Sequence, residues 1–226
     1  PDQLDAANND NKVKVIMLCK GEFGTIVAAS NKTYIGSEEA KVDCINLNGA
    51  DNVTIKNITF AGEHFGVFGG VYGAKNYKTR FENVQIVNNG IYCYNKDGNI
   101  PMSAFSNLGT ATLSNCVIKG TYWVGSIKDQ NVNAQPCYET FGIYDIYVPN
   151  NKLTQISNST IGSICVTNHG HLTVTGSSTI DVIEANALVN GHVTVESGAK
   201  VTSLNVEQFS NSYAPTVKIM AGATVE

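Results

Sequence analysis

The segments His171-Leu172-Thr173-Val174 and His192-Val193-Thr194-Val195 repeat one pattern at an interval of 21 residues. The second segment continues as Glu196-Ser197-Gly198-Ala199-Lys200-Val201, and 24 residues later comes Met220-Ala221-Gly222-Ala223-Thr224-Val225. Each unit contains two short runs of alternating apolar and polar residues, the pattern of a half-buried β-strand. Because coils of 20-odd residues lack a helical period, the repeat indicates a parallel β-solenoid rather than a helical repeat.

A related unit occurs upstream, with asparagine near the position that glycine takes later. It is centred on four asparagines that are 26, 32 and 43 residues apart, namely Asn57, Asn83, Asn115 and Asn158. Stacking of the coils would place these asparagines at equivalent corners. Their side-chain amides could then hydrogen-bond up and down the stack, as amide ladders do in other stacked parallel sheets. We therefore predict a structural role for them.

The order of segments at the start of the chain resembles a known group. Val13 through Gly36, then Ile45-Asn46-Leu47-Asn48-Gly49 and the Asn52–Gly62 unit are similar to the N-terminal coils of pectin-lyase-like proteins. The resemblance implies a right-handed parallel β-helix whose first coil is capped by a short helix, and Leu4-Asp5-Ala6-Ala7-Asn8 would supply that helix.

The predicted architecture is one all-β domain spanning residues 1–226. Residues 1–40 form the N-terminal cap and first coil, residues 41–161 form coils with long insertions, and residues 162–226 form regular coils. A chain that is 42% hydrophobic can bury a sizeable core.

The charge pattern argues against nucleic acid as a partner. The chain has 15 Lys+Arg against 19 Asp+Glu, and Arg80 is its only arginine. A basic patch for phosphate contacts and bidentate arginine readout of bases are therefore not expected. The sequence contains no run of 18 apolar residues, so it predicts no membrane-spanning helix.

Six cysteines lie far apart and form no C-x-x-C pair. One interpretation is that all six are small buried hydrophobic residues. The other is a secreted chain with one or two disulfides, in which Cys93 and Cys137 are the best pair because both fall in predicted loops.

Aromatic residues concentrate in the insertions, which span residues 62–79, 88–110 and 119–152. Eight of the ten tyrosines and the single tryptophan lie between positions 72 and 147. Aromatic rings with a polar edge suit sugar faces, and long loops on a rigid scaffold often carry binding. The predicted ligand-binding residues are Tyr122, Trp123, Tyr138, Tyr144 and Tyr147. The alternative is that these side chains pack the loops onto the solenoid.

Catalytic residues are harder to assign. The carboxylates in the insertions include Asp129, Glu139 and Asp145, and a glycosidase needs two of them about 5–10 Å apart. The polygalacturonase group usually carries Asp-Asp and Asn-Thr-Asp, which are absent here, and only His169-Gly170 matches its His-Gly. Pectate lyases use acidic residues that bind Ca²⁺ together with a basic residue. Arg80 or a lysine could supply that base, but no Asp-rich group is visible.

Three histidines form a further group. His171 and His192 occupy equivalent places in neighbouring coils, with His169 close in sequence. With a third ligand they would make a metal site; otherwise they are a stacked polar pair at a coil edge. We predict no metal or other cofactor, although a lyase would require Ca²⁺.

The sequence thus predicts a secreted or cell-surface scaffold, adhesin-like or glycan-binding and without catalysis. This prediction is based on the absence of catalytic motifs, the aromatic insertions and a bare C-terminal stack ending at Val225-Glu226. The alternatives are a polysaccharide lyase or glycoside hydrolase acting on an acidic or neutral glycan, and a phage tailspike-like fragment.

Overall fold

The structure is a computed structural model. It describes residues 2–60, 70–72, 78–86, 90–94, 103–105, 110–119, 121–125, 135–136, 144–148, 152–166, 169–185, 191–206 and 215–226. One helix, α1 (Asp2–Asn9), precedes the strands.

The first strands are β1 (Val15–Leu18), β2 (Gly21–Glu22), β3 (Thr25–Val27), β4 (Thr33–Gly36), β5 (Ala40–Lys41), β6 (Cys44–Asn46), β7 (Val53–Lys56) and β8 (Thr59–Phe60). The next are β9 (Gly70–Tyr72), β10 (Lys78–Glu82), β11 (Gln85–Ile86), β12 (Gly90–Tyr94), β13 (Ser103–Phe105), β14 (Thr110–Ser114), β15 (Val117–Ile118), β16 (Thr121–Gly125), β17 (Gln135–Pro136) and β18 (Tyr144–Val148). The last are β19 (Leu153–Ser157), β20 (Thr160–Val166), β21 (His171–Thr175), β22 (Thr179–Glu184), β23 (His192–Val195), β24 (Lys200–Asn205), β25 (Thr216–Ile219) and β26 (Thr224–Val225).

Two long sheets dominate the molecule. A nine-stranded sheet has the order β1-β4-β7-β10-β14-β19-β21-β23-β25, and all its pairs are parallel. A second, twelve-stranded sheet takes strands from the other half of each unit and is also parallel. Since successive units add one strand to each sheet, the chain forms stacked parallel layers. The predicted all-β class is confirmed, and the arrangement is compatible with a parallel β-helix.

The register of the nine-stranded sheet follows the sequence repeat. His171 pairs with His192, and Val174 pairs with Val195. Val195 pairs in turn with Ile219 of the last unit. The 21- and 24-residue intervals are therefore the lengths of two successive layers.

The asparagine corners adopt the backbone conformation that joins the two strands of each unit. Asn57, Asn83, Asn115 and Asn158 have φ of 54°, 51°, 53° and 49°. This left-handed region is costly for most residues, and asparagine is among those that tolerate it. Asn83 Nδ2 donates a hydrogen bond of 3.0 Å to Asn57 Oδ1. The equivalent corners are thus confirmed, and the ladder is seen directly between the first two.

Glycine continues the same corner in the later coils. Gly176 has a φ of +63°, and a Cβ atom there would lie 2.4 Å from Asn158 Oδ1. That oxygen accepts a 3.1 Å hydrogen bond from the backbone N–H of Ser177. A side chain at this position would therefore require Asn158, in the layer before, to shift.

The core consists of stacked apolar side chains that point inward between the sheets. Alternate residues of each strand are buried, as in β7 and β14. The largest fully buried side chains are Tyr34, Phe60 and Phe81. Because successive side chains of a strand point to opposite faces, the alternation shows that each sheet buries one face and exposes the other.

The N-terminal helix covers the first layer and is held there by a buried lysine. The Nζ atom of Lys32, a residue only 4% exposed, donates to the backbone carbonyls of Ala7, Asp10 and Val13. Positive charge suits a helix C-terminus, where carbonyls lack partners. The capping helix was predicted over residues 4–8 and spans Asp2–Asn9.

One part of the fold was not predicted. Strands β12, β16 and β17 form a separate three-stranded sheet, in which β12 and β16 are parallel and β16 and β17 are antiparallel.

A membrane-spanning helix is not found among the described residues, since none of them forms a helix of sufficient length and apolar character.

Candidate functional site

A cleft of about 420 Å³ lies at the corner where the first strands of three successive units end. We call it the corner cleft. Its polar lining comes from Ser37 and Glu38 after β4, Asn57 and Thr59 around the next corner, and Asn83 and Gln85 around the third. Its volume lies in the range of small-molecule sites, about 300–1,000 Å³.

The walls of the corner cleft are fixed by the backbone of the stack. Thr59 and Gln85 are in register in the parallel pair β8 and β11. The Gln85 N–H donates to the Ile58 carbonyl at 3.0 Å. The ladder bond between Asn83 and Asn57 closes the same corner. Amide and hydroxyl groups are therefore presented at fixed spacings.

One polar atom of the corner cleft is unsatisfied. Ser37 Oγ is buried and forms no hydrogen bond to another residue. A buried hydroxyl without a partner costs about 1–3 kcal/mol, so such atoms are rare in native structures. Because Ser37 Oγ is sealed from solvent, the groups open to a ligand are the more exposed amides and hydroxyl of Asn57, Asn83 and Thr59.

The charge of the corner cleft is small. Among the described residues, Glu38 is the only charged one that lines it. The nearby acids Glu39 and Glu82 are paired with Lys20 at 3.3 Å and Lys56 at 2.8 Å. The cleft is thus weakly negative and rich in neutral hydrogen-bonding groups.

The predicted aromatic residues fall partly on described strands. Tyr122 and Trp123 lie on β16, in register with Ile91 and Tyr92 of β12. Tyr144 and Tyr147 lie on β18, whose neighbours are β13 and β20. Tyr138 lies outside the described residues. The structure therefore gathers Tyr92, Tyr122 and Trp123 in the small three-stranded sheet.

The predicted catalytic carboxylates are not assembled in the part of the chain that is described. Asp129 and Glu139 lie outside it. Asp145 is fully buried, and its Oδ2 accepts hydrogen bonds from the Ser163 N–H at 2.8 Å and the Ser163 hydroxyl at 3.3 Å. This burial gives Asp145 no open path to a substrate.

A glycine makes room for the Asp145 carboxylate. A Cβ atom at Gly162 would lie 2.3 Å from Asp145 Oδ2 and 3.7 Å from Lys119 Cγ. The lysine reaches past this glycine to pair with Asp181 at 2.9 Å. Asp145 is therefore part of the packing between β18 and β20.

Arg80, the predicted base, is exposed on β10. Its Nη1 donates to Asn52 Oδ1 at 3.3 Å, and Asn52 Nδ2 donates to Asn31 Oδ1 at 2.9 Å. Arg80 thus extends a second polar ladder, made by left-handed residues at another corner.

The three histidines separate into a pair and a neighbour. The rings of His171 and His192 have centroids 4.4 Å apart and are tilted by 38°. Partial burial, and then the charges of His192 and His169, lower the pKa of His171. No group of three or more His, Cys, Asp or Glu side chains suited to a metal ion occurs among the described residues.

Four of the six cysteines are free thiols. Cys44, Cys116 and Cys165 are buried, whereas Cys19 is exposed. Burial raises the pKa of Cys116 to about 11. The side chain of Cys93 and all of Cys137 lie outside the described residues, so their pairing stays a prediction.

Two features of the structure were missed by the sequence reasoning. Ser37 and Glu38 carry no motif and join the corner cleft only through the stacking of β4 on β7. Lys32 was also overlooked, because buried lysines are rare.

Comparison with known proteins gave no match to a family model, to a curated protein or to a solved structure.

Proposed function

We propose that the protein is a non-catalytic, glycan-binding scaffold that acts at a cell surface or outside the cell. The observation that carries the proposal is the corner cleft, where the stack brings the amides of Asn57, Asn83 and Gln85 and the hydroxyl of Thr59 to one opening. Side-chain amides and hydroxyls on a rigid scaffold are well matched to the hydroxyl groups of a sugar chain.

The rigidity of the lining supports binding of a polar ligand. The side chains of Asn57 and Asn83 are held by their mutual hydrogen bond, and strand pairing fixes the backbone of Thr59 and Gln85. Groups that are already ordered lose little entropy when a ligand binds. The stack therefore compensates for the small apolar area of the corner cleft.

The charge of the lining favours a neutral glycan over an acidic one. In the part of the chain that the structure describes, Glu38 is the single charged group in the lining, which contains no lysine or arginine. A carboxylated sugar would meet a like charge, which disfavours its binding.

The aromatic sheet supplies a second contact region in this proposal. Gln85 of the cleft wall precedes β12 by only a few residues, and β12 carries Tyr92 in register with Trp123. Aromatic rings provide apolar area for sugar faces. We therefore retain Trp123 as a binding residue, together with Tyr122.

The proposal includes the finer description of the fold. A right-handed β-helix of the pectin-lyase-like type agrees with the parallel sheets, the capping helix and the polar corner ladders. In such a scaffold the corner cleft and the inserted strands would form one extended binding side.

The test is binding to a glycan array, followed by calorimetry with the best neutral oligosaccharide. We expect Thr59→Ala and Gln85→Ala each to weaken binding about two- to tenfold, the loss expected for one hydrogen bond. Gln155→Ala is the matched control, because Gln155 is an exposed glutamine on β19, outside the corner cleft. It should bind as the unchanged protein does.

Two outcomes would count against this function. Equal affinity for all four proteins would remove the corner cleft as the binding site. Release of reducing ends or of unsaturated products from the bound glycan would replace the scaffold by a hydrolase or a lyase.

A further inference from the structure

The stacked histidines on the C-terminal coils form a second polar feature, separate from the corner cleft. His171 begins β21 and His192 begins β23, and the two are paired in register on the outward face of the nine-stranded sheet. Their ring centroids are 4.4 Å apart. This spacing is close to the strand separation of about 4.8 Å, so the backbone itself sets it.

The surroundings leave the imidazole nitrogens available. Among the described residues neither ring is hydrogen-bonded to another residue, and their contact with each other is the only ring contact found. The register positions on either side are Leu153 and Thr216, which bring no charge. Neither histidine is therefore committed to a structural hydrogen bond.

Two neighbouring neutral imidazoles are a common basis for metal binding. Zinc–nitrogen bonds are about 2.0–2.1 Å long, which puts two ligand nitrogens on one ion about 3 Å apart. Outward-facing rings on strands about 4.8 Å apart reach that separation by small side-chain rotations. No backbone movement is needed.

We propose that His171 and His192 together bind one divalent transition-metal ion of the kind that prefers imidazole, such as Zn²⁺ or Cu²⁺. Solvent completes the coordination, because the described residues contain no third ligand grouped with the pair. Imidazole suits these ions better than Mg²⁺ or Ca²⁺, which prefer oxygen ligands. The site binds independently of any glycan.

The surroundings of His171 favour its neutral ring. Partial burial and the nearby charges of His192 and His169 lower the pKa of His171, which keeps the ring neutral further into the acid range. The charged groups on the flanking elements are Lys152 before β19 and Lys218 on β25. Because the metal ion needs neutral imidazole, binding should weaken as acid protonates the rings.

The experiment is calorimetric titration of the untagged protein with Zn²⁺ alone and with Mg²⁺ alone. We expect one Zn²⁺ per chain and no binding of Mg²⁺. His171→Ala and His192→Ala should each lower the Zn²⁺ affinity at least tenfold. His169→Asn is the control, because asparagine tolerates the φ of 55° at this position, and it should leave the affinity unchanged.

A gain-of-binding variant makes the test sharper. Thr216 continues the register of His171 and His192, so Thr216→His should add a third imidazole and tighten Zn²⁺ binding at least tenfold. Circular dichroism checks that each variant is folded. The proposal is overturned if the unchanged protein shows no saturable Zn²⁺ binding up to about 1 mM, or if His169→Asn loses as much affinity as His171→Ala.

Discussion

At the scale of single residues, the left-handed corner at Asn83 contributes both backbone and side-chain energy. Its φ of 51° disfavours most residues, and its amide donates to Asn57 Oδ1. Asn83→Ala should lower the free energy of unfolding by about 2–3 kcal/mol, from about 1–2 for the backbone and about 1 for the ladder bond.

Asn83→Gly separates the two contributions. Glycine accepts the same φ but removes the amide, so its loss should be only about 1 kcal/mol. Urea unfolding measures both variants. If Asn83→Gly were as damaging as Asn83→Ala, strain at the corner would not be the reason for asparagine there.

The buried thiol of Cys116 predicts a pH dependence. Its pKa is raised to about 11 from an ordinary value of 9.0, chiefly by burial. The folded chain therefore holds a proton that the unfolded chain releases. The stabilisation is complete below pH 9 and is lost as the pH rises towards 11, by roughly 2–3 kcal/mol.

Cys116→Ala isolates this effect. Its unfolding free energy should fall less steeply between pH 9 and 11 than that of the unchanged protein, whatever its value at pH 7. Identical slopes would show that Cys116 does not account for the dependence. At neutral pH, exposed Cys19 should react with a thiol reagent well before buried Cys116.

At the scale of elements, the capping helix depends on one buried cation. Lys32 supplies three hydrogen bonds to the end of α1 and the turn beyond it. Lys32→Met keeps the apolar stem but leaves those carbonyls without their donor. We expect a loss of about 2–4 kcal/mol and faster hydrogen exchange in α1. Lys14→Met, at an exposed position, should change neither quantity.

Much of the element pattern could be predicted from sequence, and the reasons are local. The asparagines at 57, 83, 115 and 158 mark corners because few other residues accept that backbone. The alternating residues on both sides of each corner give the strands. The β12–β16–β17 sheet was missed, because its pairing depends on contacts between separate insertions.

The site was much less predictable than the fold. The corner cleft draws residues from three units that share no motif, and its unsatisfied hydroxyl is visible only with side chains in place. Asp145 looked like a free acid in sequence, yet Ser163 and Gly162 enclose it. In contrast, the pairing of His171 with His192 followed directly from the 21-residue repeat.

At the scale of the whole molecule, stacking implies that one layer can be removed. Deleting residues 171–191 takes out β21 and β22 and leaves β23 to pair with β19 in the same register. We expect a folded, less stable protein, because stability in such repeats is roughly a sum over units. A deletion of residues 171–180 should prevent folding of the C-terminal coils. Circular dichroism and thermal unfolding compare the two, and equal damage would contradict independent layers.

The most direct test of the functional account is a chemical-shift map of the protein with its best neutral oligosaccharide. We predict that the perturbed signals cluster at the corner cleft, in the side-chain amides of Asn57, Asn83 and Gln85 and the backbone N–H of Ser37. The signal of Gln155 should stay in place. Saturable binding that perturbs Gln155 and leaves the corner cleft unchanged would contradict the account.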